Sequence, residues 1–71
     1  MTYSIYVYHV AHPAGSYRAV VIDSTDREWG EGFAYGKGLA VARARWATLS
    51  MLADDIKNVC QAAISYDEDD E

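Results

Sequence analysis

Thr2-Tyr-Ser-Ile-Tyr-Val-Tyr-His-Val10, then Ala11-His-Pro-Ala-Gly15, then Ser16-Tyr-Arg-Ala-Val-Val-Ile-Asp23 is the stretch on which the fold turns. Residues 2–10 are β-branched and aromatic, with no Gly or Pro, and that composition makes a strand. Alternation sets Tyr3, Ile5, Val7 and His9 on one face and Ser4, Tyr6, Tyr8 and Val10 on the other. Pro13 fixes φ for a turn and Gly15 can take a positive φ, so residues 11–15 close a hairpin. Residues 16–23 return as the second strand. Both of its faces carry β-branched residues, so either could be the buried one.

Working outward, residues 23–31 read as a polar connection and residues 31–36, Glu-Gly-Phe-Ala-Tyr-Gly, as a short third strand weakened by its glycines. From Leu39 to Ile64 the period changes. At 100° per residue, Val41, Ala42, Trp46, Leu49, Leu52, Ala53, Ile56, Val59, Cys60, Ala63 and Ile64 fall in one arc, with Leu39 at its edge. The expectation is an α+β domain over residues 1–66. A three-stranded antiparallel sheet, β-β-β-α in order, packs one long amphipathic helix on one face, with Trp46, Leu49 and Ile56 buried against it. Arg45 is the misfit on the apolar arc, laying its stem on the core and reaching out to an acid.

One length does not fit. Twenty-six helical residues reach about 39 Å, whereas eight-residue strands reach about 26 Å. Either the helix overhangs, and Val59, Ala63 and Ile64 meet a second copy of the chain as a homodimer, or it breaks near Asp54-Asp55 and folds back onto the sheet.

The chain has 71 residues and a net charge of −5. Five of its eleven acids are the last five residues, so residues 1–66 carry six acids and six bases. The acidity is therefore a solvated, mobile tail at residues 67–71 plus local clusters. One cysteine and two histidines exclude a disulfide scaffold and a closed zinc site. No apolar run reaches the ~18 residues of a membrane span. The start, Met1-Thr2-Tyr3-Ser4, does not read as a signal peptide. The expected setting is the cytoplasm, with no metal, cofactor or membrane.

Candidate chemistry is sparse. His9 and His12 are too few for a metal centre, and Cys60 falls on the apolar arc as a small hydrophobe. Gly30, Gly32, Gly36 and Gly38 around Lys37 match no phosphate-loop pattern, and Gly36 and Gly38 are expected to shape the strand-to-helix turn. Asp23, Asp26, Glu28 and Glu31 surround Trp29, and Asp54 and Asp55 add a second cluster. These carboxylates, spaced like phosphates and anchored by Trp29, form the candidate partner site for a basic protein surface. Tyr6, Tyr8 and Arg18 form the alternative partner face. The absence of a basic stripe argues against direct nucleic-acid binding there.

Two resemblances bear on function. Residues 16–23, then Gly30-Glu-Gly-Phe-Ala-Tyr-Gly36, then an Ala-rich helix resemble the partial RNase H-like domain of HicB-class antitoxins, over about residues 3–56. That resemblance implies a dimeric interaction domain that masks a small protein partner. Lys37-Gly38-Leu39 stands where that family has a Ser or Thr cap with acids. The size, acidity and lack of catalytic motifs are similar to phage-encoded inhibitors, anti-CRISPR proteins and DNA mimics among them. The leading expectation is a non-enzymatic inhibitor of this type, acting in a host cytoplasm, that blocks a nucleic-acid-handling protein through the acidic patch.

Overall fold

The computed structural model describes residues 1–66; the acidic tail expected at residues 67–71 lies outside them. Strands β1 (Tyr3–Val10), β2 (Ser16–Asp23) and β3 (Glu28–Tyr35) come first. Helix α1 (Lys37–Met51), a 3-10 turn at Ala53–Asp55, helix α2 (Ile56–Cys60) and strand β4 (Ala63–Tyr66) follow. The sheet order is β3-β2-β1-β4. The first three strands are antiparallel, as their composition and the hairpin turn require, while β4 runs parallel to β1. The α+β class stands, but the expected three-stranded antiparallel sheet is corrected to a four-stranded mixed one.

The helical layer covers the face that carries Tyr3, Ile5 and Val7 of β1 and Ala19 and Val21 of β2, all buried. β3 meets the helix in an unusual way. Its inward positions include Gly30 and Gly32, and α1 turns small residues onto them: Ala40, Ala44 and Thr48 are fully buried. A Cβ on Gly30 would stand 2.6 Å from Thr48 Oγ1 and 2.8 Å from the Ala44 carbonyl oxygen. One on Gly32 would stand 2.5 Å from the Ala44 nitrogen and 2.6 Å from Arg43 Cβ. No side chain fits there, so the helix backbone lies directly on the strand. The β2–β3 register shifts between Val20 and Ile22. Nearby, the Gly30 N–H donates to Thr48 Oγ1 at 3.0 Å, and the hydroxyl in turn donates to the Ala44 carbonyl at 2.9 Å. A buried N–H at the irregularity is thereby satisfied.

This packing corrects the helix face. The sequence arc followed bulk, whereas the contact selects smallness, and α1 is rolled by about a third of a turn from the expected orientation. Trp46 is 76 % exposed and Ile56 53 % exposed, so neither is a core residue. Leu49 is half-buried and packs on the core with Leu52. Arg45 reaches the Ala62 carbonyl at 3.5 Å, not an acid.

The long helix is corrected as well. At Leu52 the backbone leaves the helical region, at φ −125°, and the 3-10 turn holds Asp54 and Asp55. Of the two outcomes left open by the length argument, the break is the observed one. Fifteen residues of α1 reach about 22 Å, which matches the strands beneath. Val59 on α2 is fully buried in the chain's own core, and Ala63 and Ile64 belong to β4. The expected homodimer surface of Val59, Ala63 and Ile64 is therefore not a helical face at all. Cys60, expected on the buried arc, is exposed.

The glycine contact makes a paired prediction. Gly32→Val should cost about 1–3 kcal/mol through overpacking against the helix backbone. Gly38→Ala, where nothing lies within 4 Å of the new Cβ, should raise stability by about 0.5–1 kcal/mol. Chemical denaturation of both variants reads this directly. Equal, small effects at the two positions would contradict the close approach.

Candidate functional site

Among the described residues, no helix lies over the face of the sheet away from α1. Strand register decides what gathers there. Tyr6 lies opposite Val20, and Tyr8 opposite Arg18. Arg18 in turn lies opposite Phe33, and Val20 opposite Glu31. The register shift sets Glu28 opposite Ile22, so both glutamates of β3 fall on the face that carries Val20. Ser65 of β4 lies beside Tyr6.

The result is an aromatic centre with a charged side. Tyr6 and Phe33 are exposed, and Tyr8 is half-buried between them and Arg18. The Arg18 guanidinium stands 5.9 Å from the centroid of the Tyr8 ring and forms a two-pronged ion pair with Glu31. Two open grooves flank Tyr8. One of about 450 Å³ runs between Tyr6, Tyr8, Val20 and Tyr66. The other, of about 400 Å³, runs between Tyr8, Val10, Arg18, Glu31 and Phe33. The expected alternative face of Tyr6, Tyr8 and Arg18 is thus a real juxtaposition, and it takes in Glu28 and Glu31 as well. Val20, Phe33 and Tyr66 were missed as its walls. Alternation in β3 could have suggested Phe33, but the β2–β3 register that sets it opposite Arg18 is not written in the sequence.

The remaining acids do not join one patch. Asp23 is buried, and its carboxylate is consumed internally. It accepts from the Thr25 N–H at 2.8 Å, the Thr25 hydroxyl at 2.6 Å, the Arg27 N–H at 3.1 Å and Trp29 Nε1 at 2.9 Å. Trp29 packs half-buried on the core, and the Arg27 guanidinium lies 4.2 Å from its ring centroid. Asp23 and Trp29 therefore close the β2–β3 turn. Asp26 takes φ +67° at the tip of that turn and is exposed.

Asp54 is exposed, while Asp55 ties the 3-10 turn to β1. It accepts from the Tyr3 hydroxyl at 2.6 Å and from the Asn58 amide at 2.7 Å. The bond to Asp55, then burial, pushes the Tyr3 hydroxyl up to about 12. The same Tyr3 bond, then that of Asn58, lowers Asp55. Among the described residues, no three His, Cys, Asp or Glu side chains come together in a way that could hold a metal ion. No helix of the described residues is long and apolar enough to cross a membrane. No family model matches this chain, and no curated protein or solved structure is significantly similar to it.

The turn carboxylate sets an acid sensitivity. Hydrogen bonds from Thr25 and then Trp29 hold Asp23 far below the usual carboxylate range. The unfolded chain titrates at about 3.9, so below that pH it binds more protons than the folded chain, and stability falls as pH falls. The melting temperature of the parent should drop from pH 5 to about pH 2. Asp23→Asn should melt lower than the parent at pH 7, with a gap that narrows as acid is added. A variant whose acid slope equals the parent's would show that Asp23 does not carry it.

Proposed function

We propose that this chain is a non-enzymatic binding protein that docks a partner protein on its open sheet face, as small inhibitors of nucleic-acid-handling proteins do. The observation that carries the reading is the uncovered cluster of Tyr6, Tyr8, Val20 and Phe33 beside Glu28, Glu31 and Arg18. Large aromatic residues left in solvent around open grooves are characteristic of interface centres, and charged residues of interface rims. The cation of this face, Arg18, is already neutralised by Glu31, which disfavours a phosphate backbone as the ligand. Glu28 on the same face and Asp26 at the turn tip remain exposed, and they favour a partner that presents basic groups around an apolar centre. The acidic-patch inhibitor reading thereby narrows to Asp26, Glu28 and Glu31 acting with the aromatics, without Asp23 or Trp29.

The HicB-like reading keeps one supporting observation. β3 passes through Gly36, at φ +100°, directly into the Ala-rich α1, which is the element order on which that resemblance rests. It too describes an interaction domain, and the two readings differ in whether the partner is a small single protein or a nucleic-acid-handling complex.

Tagged protein used as bait in a bacterial lysate, with mass spectrometry, names the partner, and calorimetry with the purified partner locates the surface. Tyr6→Ser combined with Phe33→Ser should weaken binding by about 2–4 kcal/mol, as for hot-spot residues. Asp26→Asn with Glu28→Gln should weaken it less, and more at low salt than at high salt. Met51→Ser, an exposed change on the helical side, should leave it unchanged. A partner that binds all of these variants as tightly as the parent does not use the open face.

A further inference from the structure

The second uncovered apolar surface lies on the other side of the molecule. Leu39, Ala42, Trp46 and Leu49 are spaced three, four and three residues apart along α1. At 100° per residue they fall within an arc of about 80°, roughly opposite the Ala40, Ala44 and Thr48 face that lies on β3. Trp46 is 76 % exposed and Leu39 49 % exposed. Ala42 is exposed between them and Leu49 is half-buried at one end. This is the spacing of a helix–helix seam; Leu39, Ala42 and Trp46 stand open on it, and Leu49, which packs one side on the chain's own core, closes its end.

We infer that this seam pairs with the same seam of a second copy, antiparallel, about a two-fold axis at the level of Ala44. The residue sizes favour a copy of the chain over an unrelated helix. Antiparallel pairing about Ala44 sets Trp46 of one copy opposite Ala42 of the other, so the largest side chain meets the smallest, twice. It sets Leu39 opposite Leu49, also twice. A two-fold contact must be complementary to itself, and this seam is.

The charges do not oppose it at the seam. α1 contains no Asp or Glu, and no charged residue stands within the seam. Arg43 and Arg45 flank it, and pairing brings Arg43 of one copy near Arg45 of the other. Both side chains are drawn back to their own chain, Arg43 to the Phe33 carbonyl at 2.6 Å and Arg45 to the Ala62 carbonyl at 3.5 Å. The need is also visible in the core. The largest fully buried side chains are Ile5, Val7, Val21, Val59, Thr48 and Ser16, with no aromatic among them. A small domain with so modest a core gains from burying bulk between copies.

The pairing has a geometric consequence. The helices meet in the middle, so the layers run sheet, helix, helix, sheet, and the two open sheet faces point away from each other. An assembly of this kind offers two copies of the face described above, which multiplies binding to a repeated or two-fold partner. The pairing itself does not depend on the proposed function.

Sedimentation velocity of the full chain across a concentration series, from about 1 μM to about 1 mM, tests the inference. The expected result is a monomer–dimer equilibrium with a micromolar constant. Ala42→Glu and, separately, Trp46→Glu should weaken it by at least about 100-fold, since each places a charge in the seam. Tyr6→Glu, on the open sheet face, should leave it unchanged. Circular dichroism melts at low concentration should show both seam variants folded. A parent that stays monomeric throughout, or a dimer lost on Tyr6→Glu but kept on Ala42→Glu and Trp46→Glu, overturns the seam.

Discussion

The contact between a glycine-bearing strand and an alanine-bearing helix governs this molecule. With no Cβ at Gly30 and Gly32, α1 lies on β3 through Ala40, Ala44 and Thr48. Everything bulky on the helix is then turned elsewhere, because a side chain the size of Trp46 or Leu39 cannot enter a gap that excludes a methyl group. The same contact leaves the irregular β3 N–H at Gly30 to be satisfied by Thr48. The residues of the interior are small because the layers are close.

That economy has an outward cost. A chain of 71 residues with 51 % hydrophobic content leaves Tyr6, Phe33, Tyr35, Leu39, Trp46, Met51 and Ile56 in solvent. Exposed apolar residues are ordinary one at a time, but not when they line up in register on a sheet or at seam spacing on a helix. Here they form two separate surfaces on opposite sides of the domain. One is aromatic with acidic neighbours and suits a heterologous protein. The other is uncharged and self-complementary and suits a second copy. The binding role proposed above would draw on such surfaces, with the sheet and α1 setting them on opposite sides of the domain.

The acidic residues show why charge in a sequence is a poor guide to charge on a surface. Asp23 and Asp55 carry formal charges like Asp26 and Glu28, yet they act as internal acceptors. Asp23 closes the β2–β3 turn with Thr25, Arg27 and Trp29, and Asp55 pins the 3-10 turn to Tyr3. Asp23 is buried and Asp55 half-buried, and the donors around each favour its ionised form. The apparent run of acids from residue 23 to residue 31 is thus divided between a turn lock and an exposed face.

What the amino-acid sequence determined by itself is local. The hairpin of residues 2–23, its face of Tyr3, Ile5 and Val7, a strand-to-helix turn at Gly36 and the break near Asp54-Asp55 as one of two outcomes all follow from periodicity, turn residues and lengths, although the helix was expected from Leu39 and begins at Lys37. The sharing of one face by Tyr6, Tyr8 and Arg18 was equally legible, because strand alternation and a short hairpin leave little choice. Tertiary structure alone decided which side of α1 is buried, since the apolar arc through Trp46 and the small arc through Ala44 are both plausible until the surface beneath is known to be glycine. It alone decided that Ala63–Tyr66 is a strand, because four residues with no partner in sequence become β4 only when the crossover delivers them beside β1. Alternation with Phe33 sets Glu31 on the tyrosine face, but Glu28 joins it only through the β2–β3 register shift, a consequence of how two strands and a helix pack together, which no single segment encodes.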